Sequence, residues 1–392
     1  MTKIVFVIDA LRIGGIQNSL VNLLKKINYE KFEVSLIAFS VEESFKRLIP
    51  AEVKLIKMPK ILALINTPSN DVRKKGLSLY FIRKILAIGC KIFSGKVVYS
   101  LLFSLVNLKD MCFDLAISYT NNGNVKSVYF GSNKFVIDKI KAKRKISWLH
   151  VDYKAMNMSN KTNNKEYEKF DKIVCVSKDT EAKFLECCPQ FENKTCVIYN
   201  IVDVNHIKNL SNAEFVMKKD NFTILTVCRL DRNKNVEQCL RIASLLKEKH
   251  FDFQWLIVGD GPDRKKLEAM AYSLNVADNI NFLGYKENPY SYIKNSDVFV
   301  STSISESFGL SIYESLILGV PVVVRRYDAI DEVIRNKADG YIVSENDYDF
   351  VEAIIETTKA EVTKTELPYD EFVETRNVQA LMKLEELANV EN

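Results

Sequence analysis

Glycine is scarce in this 392-residue chain: 13 residues, about half the usual share of ~7%. Proline is rare too, with 8 residues. Collagen-like and low-complexity chains are thereby excluded, and each glycine cluster becomes informative. Histidine occurs three times, at widely separated positions, and none of the eight cysteines forms a C-x-x-C pair. Zinc-site spacing is therefore absent. Cys175 and Cys228 sit in apolar runs and read as small buried apolar residues. A reducing compartment is expected rather than a disulfide framework. Long apolar runs are missing as well. The longest uncharged one, residues 97–108, falls short of the ~18 residues that span a bilayer. The N-terminal run, residues 4–8, is too short for a signal-peptide core. The expected location is cytoplasmic, with peripheral attachment to the cytosolic membrane face left open.

What is present is an ordinary globular composition, 47% hydrophobic and 27% charged. At roughly 100–200 residues per domain the length suggests two domains. The net charge is only +5, but residues 1–213 carry +15 and residues 214–392 carry −10. A basic half suggests an anionic partner.

Hydrophobic periodicity supports this division. Residues 4–8 form a buried-strand pattern, followed by Gly14-Gly15, a helical pattern through Leu20, Leu23, Leu24 and Ile27, and a second strand at 32–39. This βαβ unit argues for a parallel sheet. Strands are expected again at 114–118, 145–149, 172–176 and 195–199. The pattern then restarts, with strands at 223–228, 253–258, 280–283, 297–301 and 320–324 and helices between them. The expected fold class is α/β, with two doubly wound domains. Their boundary is expected near residue 210, and residues 369–387 read as an amphipathic helix after Pro368.

The strongest local signal runs from Ser303 to Val323. It contains Glu306, Phe308-Gly309-Leu310, Glu314 and Gly319-Val320-Pro321. The segment follows a strand and opens a helix, whose free N–H groups suit a phosphate. Eight helical residues rise ~12 Å, too far for Glu306 and Glu314 to act on one atom. That spacing suits two hydroxyl-rich groups flanking a diphosphate, a sugar and a ribose. It also suits a capped helix with two solvated glutamates.

These residues resemble the hallmark of the retaining family-4 glycosyltransferases of the GT-B fold, of bacterial surface-glycan type. The resemblance extends to Arg229 and Lys234, which match the family's diphosphate-binding cations. Gly259-Asp260-Gly261-Pro262 and Gly284-Tyr285 match its nucleotide-side loops, and Gly14-Gly15 its N-terminal glycine loop. His150 matches a donor-site histidine, with Asp152 in a looser match. The resemblance implies two Rossmann-like domains facing across a cleft. Residues 1–210 would form the acceptor side, 211–368 the nucleotide-sugar side, and the helix 369–392 would return to the first domain.

It also implies a catalytic set of Glu306, Arg229, Lys234 and His150. The donor-binding set would be Gly14, Gly15, Arg229, Lys234, Gly259, Tyr285, Glu306, Phe308, Gly309, Leu310 and Glu314. Glu306 would hold sugar hydroxyls and Glu314 the ribose. The cations and helix N–H groups would stabilise the leaving diphosphate, so neither metal nor cofactor is implied. Attack would come from the front face, the leaving phosphate oxygen helping to deprotonate the acceptor. The one Asp-x-Asp, Asp347-Tyr348-Asp349, reads as helix-start chemistry rather than a metal site.

Residues 72–109 hold eight Lys/Arg and no acid, interleaved with apolar residues. Such helices suit an anionic bilayer surface, or pack on the first sheet with their lysines in water. No nucleic-acid motif accompanies them. The expected partners are a nucleotide-sugar donor, with UDP as the expected nucleotide, and a glycan or lipid-linked acceptor. The transferred sugar would be a hexose or N-acetylhexosamine. A UDP-sugar epimerase on the same fold and a catalytically silent GT-B subunit are the competing readings. Oligomeric state is not legible.

Overall fold

A computed structural model describes residues 1–12, 14–127, 130–213, 221–359 and 368–389. The chain divides into two units: Met1–Ile201 with Asn377–Asn392, and Val202–Arg376.

The first unit is built on seven strands: β1 (Thr2–Leu11), β2 (Phe32–Val41), β3 (Lys54–Ile56), β4 (Cys112–Ser118), β5 (Lys141–Leu149), β6 (Lys172–Cys175) and β7 (Thr195–Val197). They form one parallel sheet in the order β3-β2-β1-β4-β5-β6-β7. The central strand β1 is apolar from Ile4 to Ile8 because helices cover both faces of such a sheet. Its residues alternate between two cores. Val5 and Val7 meet Ile37, Phe39 and Phe135. Ile4, Phe6 and Ile8 meet Leu20, Leu24 and Trp148, joined by Ala380, Leu384 and Ala388 of the C-terminal helix Tyr369–Ala388.

The second unit repeats the scheme with β8 (Phe222–Val227), β9 (Phe253–Val258), β10 (Ile280–Gly284), β11 (Val298–Ser301), β12 (Val322–Arg325) and β13 (Gly340–Val343). The order is β10-β9-β8-β11-β12-β13, again parallel. Trp255 on β9 is fully buried in this core, and its indole N–H donates to Thr226 Oγ1 at 3.1 Å.

The division falls after Ile201, ahead of the boundary expected near residue 210. The reason is the helix Val204–Ser211, which packs on the helices Tyr290–Lys294 and Leu310–Ile317 of the second unit. Asn288 Nδ2 donates to the Leu210 carbonyl at 2.9 Å, and the His206 ring meets Tyr290 edge-on at 6.3 Å. Residues 214–220, much of the polar segment expected to mark the boundary, lie outside the described residues. The C-terminal helix also differs from expectation. Its start, through Arg376, belongs to the second unit, and only Asn377 onward to the first. Tyr369 donates to the Val333 carbonyl at 3.0 Å, and the Arg335 guanidinium lies over the Tyr369 and Phe372 rings.

Trp255→Ala should cost about 3–5 kcal/mol, because it empties a large buried site and strips Thr226 of a partner. The check is the denaturant midpoint of the second unit's transition, which should fall while the first unit's transition holds.

Candidate functional site

In each sheet the chain reverses its direction of travel beside the first strand, between β1 and β4 and between β8 and β11. The loops leaving the C-terminal ends of such strands diverge there and leave a crevice suited to ligands. Every second-half residue of the expected catalytic and donor-binding sets falls at this edge of the second sheet, whereas Gly319-Val320-Pro321 of the same motif precede β12 at the opposite edge. Arg229 and Lys234 follow β8, Gly259 follows β9, and Tyr285 follows β10. Glu306, Phe308 and Gly309 follow β11, and the helix Leu310–Ile317 carries Leu310 and Glu314.

The loop after β8 is shaped by Asp231. Its Oδ1 accepts the backbone N–H groups of Asn233 (3.0 Å) and Lys234 (3.2 Å), and its Oδ2 accepts Arg229 Nε at 2.5 Å. The Arg229 side chain remains 75% exposed. This loop is tied to the one after β11. Ile304 N donates to the Asn233 carbonyl at 2.9 Å, Asn233 Nδ2 to the Ser305 carbonyl at 2.8 Å, and Thr302 Oγ1 to the Lys234 carbonyl at 3.1 Å. The result is a mostly buried ion pair between Lys234 Nζ and Glu306 Oε1. Burial disfavours the Lys234 ammonium, but the Glu306 carboxylate outweighs it and holds Lys234 above its ordinary value.

Two glycines here leave no room for a side chain. Gly259 has φ +135, and a Cβ on it would lie 1.8 Å from the Cys228 carbonyl oxygen. Gly309 has φ +73 and caps the helix Leu310–Ile317, where a Cβ would meet the Tyr327 hydroxyl at 2.8 Å. Phe308 stacks on Tyr313 at 4.6 Å, securing the turn. Glu314 lies one turn in, half-buried. Burial pushes its carboxyl up to about 8, partly offset by the Tyr290 hydroxyl, which donates to it at 3.4 Å. Tyr285 is 51% exposed at the same edge.

The remaining predicted residues belong to the first unit, at the corresponding edge of its own sheet. Gly15 opens the helix Gly15–Lys26 after β1, and Gly14 precedes it in extended conformation. Gln17 of that helix donates to the Ala10 carbonyl at 3.1 Å. His150 follows β5, buried against Tyr119 (4.7 Å) and Trp148 (6.4 Å). Burial drives its imidazole down to about 3, so it is neutral, and its Nε2 has no hydrogen-bond partner among the described residues. Asp152 pairs with Lys183 at 2.9 Å and accepts the Ala155 N–H, the contacts of a turn residue.

Sequence reasoning passed over several residues. Asp9, near the end of β1, accepts from Gly131 N (2.8 Å), Ser132 N (3.1 Å) and Thr120 Oγ1 (2.8 Å), and burial raises it to about 6. Ser19 joins the Tyr119 hydroxyl (2.8 Å) to Asn200 Oδ1 (2.6 Å). Tyr290 carried no signal, since nothing local marks its partner. Asp231 did: an Asp followed by backbone donors two and three residues on is a turn signature. Asp347 accepts from Arg241 Nε (2.7 Å) and Gln238 Nε2 (2.9 Å) at the start of the helix Asp347–Thr357, and Asp349 bonds Ser344. Among the described residues no cluster of three or more His, Cys, Asp or Glu could hold a metal ion.

Residues 208–369 match the family model of the group 1 glycosyl transferases. A lipopolysaccharide core biosynthesis glycosyltransferase of Rhizobium meliloti is 27% identical over 177 residues, 45% of this chain and 50% of that protein. A Campylobacter jejuni enzyme is 31% identical over 157 residues, 40% of this chain and 42% of that protein. It is named an N-acetylgalactosaminyltransferase acting on a diphospho-undecaprenol-linked sugar. The chain spans half or less of the length of these relatives. Among solved structures, Anabaena HepE with UDP-glucose superposes at a TM-score of 0.68 with 17% identity, covering 98% of this chain and 100% of that one. Staphylococcus aureus TarM, solved with UDP and α-GlcNAc-glycerol, gives 0.69 with 14% identity, covering 100% of both. Over its length this chain has the GT-B fold of those solved structures, and across most of its second unit its sequence is similar to the group 1 glycosyl transferases.

Proposed function

We propose that the protein is a retaining glycosyltransferase that needs no metal. It moves a hexose or N-acetylhexosamine from a UDP-sugar to a surface polysaccharide, teichoic-acid-like polymer or lipid-linked glycan at the cytosolic membrane face. The observation that carries this reading is the Lys234–Glu306 pair set beside the Gly309 helix terminus. Breakage of a glycosyl–phosphate bond leaves negative charge on the diphosphate. Lys234, Arg229 and the N–H groups after Gly309 are the fixed donors for it. Glu306, already oriented by Lys234, is left to hold sugar hydroxyls. Glu314 is the acceptor for the ribose.

Support for UDP comes from HepE and TarM, both solved with that nucleotide. Support for a glycan or lipid-linked acceptor comes from the names of the Rhizobium and Campylobacter relatives. Front-face attack assigns the acceptor proton to the leaving phosphate oxygen, so no separate base residue is required.

Three outcomes follow from these roles. UDP should raise the melting temperature of the protein more than GDP or ADP, because only binding to the folded state stabilises it. Lys234→Ala and Glu306→Gln should each lower kcat/KM about a hundredfold or more while the circular dichroism spectrum holds, and turnover should survive EDTA. Full activity in both variants would sink the assignment, and UDP release without acceptor would favour the epimerase.

The third outcome is a pH dependence. Glu314 is held above its unfolded value of 4.5, at about 8, so at neutral pH it is mostly protonated. A carboxylate that accepts two ribose hydroxyls must ionise, so UDP binding releases a proton. Affinity should rise with pH, by up to about tenfold per unit, and level off above about 8. Glu314→Gln should remove that slope, as read by calorimetry in buffers of different ionisation enthalpy. The same shift sets the stability sign: relative to Glu314→Gln, the wild type loses stability as pH rises from about 4.5 to about 8.

A further inference from the structure

The helix Leu77–Phe93 is apolar on both sides. Inward, Cys90 is buried in the first core and Leu86 and Ala87 pack against it, while buried Arg83 donates through Nε to the Thr67 carbonyl at 3.3 Å. Outward, large apolar residues face water: Leu77 is 62% exposed, Phe81 60%, Ile85 68%, Ile88 55% and Ile92 66%. Their spacing of three and four residues makes one stripe along the helix. The stripe continues onto the next helix, Gly95–Phe103, through Val97 and Leu101, and ends at Leu105. Half of the large apolar side chains exposed among the described residues lie between residues 77 and 105. A monomer in water rarely leaves a continuous apolar stripe uncovered.

Charge identifies what covers it. Residues 72–109 contain no acid, and Lys74, Lys75, Lys84 and Lys91 are exposed along this segment. Lys84 Nζ lies 4.8 Å from the centre of the Tyr80 ring, which keeps it beside the helix. A second copy laid face to face would set these cations against their own kind. A nucleic acid would leave the isoleucines unburied. An anionic bilayer meets both needs, since acyl chains take the apolar stripe and headgroups take the lysines. A 17-residue helix is about 25 Å long and fits flat in the interface. No helix among the described residues is long and apolar enough to cross a membrane.

We propose that the helix Leu77–Phe93, with Val97, Leu101 and Leu105, docks the protein in plane on a bilayer rich in anionic lipid. This goes beyond the donor chemistry and does not depend on it, because docking is read without turnover. If it holds together with the glycosyltransferase reading, the acceptor is presented from the same membrane.

The test is flotation of the full-length protein with vesicles of phosphatidylcholine, with and without phosphatidylglycerol. The wild type should float with the anionic vesicles and much less with the neutral ones. Ile85→Glu/Ile88→Glu should weaken binding roughly tenfold per side chain, and Lys84→Gln/Lys91→Gln about fivefold per charge. All four positions are exposed, so melting temperatures should match the wild type. Met382→Glu, exposed on the C-terminal helix, should float as the wild type does. A wild type left in the pellet with anionic vesicles, or an Ile85→Glu/Ile88→Glu variant that floats unchanged, would overturn the proposal. So would a solution dimer that the same double substitution turns into monomer, which would assign the face to a second copy. Flotation without any sugar transfer would keep the docking and remove the transferase reading, and transfer without flotation the reverse.

Discussion

Lys234 and Glu306 answer each other's charge at the C-terminal edge of the second sheet, and the candidate site is organised around that pair. Each ion alone would carry a desolvation cost of several kcal/mol in such a place. Together they require two loops, 72 residues apart in sequence, to meet in register. The loops meet because β8 and β11 are neighbours in the sheet. The backbone bonds of Asn233 and Thr302 then hold both ends in place. In the same loop Gly309 caps the following helix with no side-chain hydrogen bond to its cap. The unit as a whole is acidic, so this local arrangement of cations, and not the net charge, decides where a diphosphate could sit.

Burial acts on the other titratable groups in a common direction. Asp9, Glu314 and His150 all move toward their neutral forms, the acids upward and the imidazole downward. Desolvation is the largest cause in each case, and hydrogen bonds oppose it. In Asp9 three donors are spent on fixing the entry to the helix Ser132–Lys139. In Glu314 a single tyrosine is present, which leaves the carboxyl able to take on further donors. His150 keeps one ring nitrogen unmatched in a buried setting, a condition that a ligand hydroxyl would relieve.

The basic surplus of the first half follows a different logic. Its lysines in the segment 72–109 surround a helix whose outward face is apolar and whose inward face holds an arginine. Amphipathic reasoning places an apolar stripe against the core by default. Here the core side is filled by Leu86, Ala87 and Cys90 with the Arg83–Thr67 bond, so a second apolar stripe is left over and available to something outside the chain.

The sequence by itself determined the elements and their class. Local periodicity placed a strand at residues 4–8, inside β1, and another at 253–258, the full extent of β9, because strands buried on both faces are dominated by apolar residues. The motif around Glu306 and Gly309 was legible for the same reason: a strand, a glycine turn and a helix are consecutive in the chain. Tertiary structure decided which loops became neighbours. Asp9 with Gly131, Ser19 with Asn200 and Tyr290 with Glu314 join residues 122, 181 and 24 apart, and no local pattern encodes such pairs. It also moved the unit boundary to Ile201, since the helix after it finds its contacts in the second unit. Periodicity reports that a helix has an apolar face, but only the packed chain shows which way that face points. That is why the stripe of Leu77–Phe93 could be read from sequence and its exposure could not.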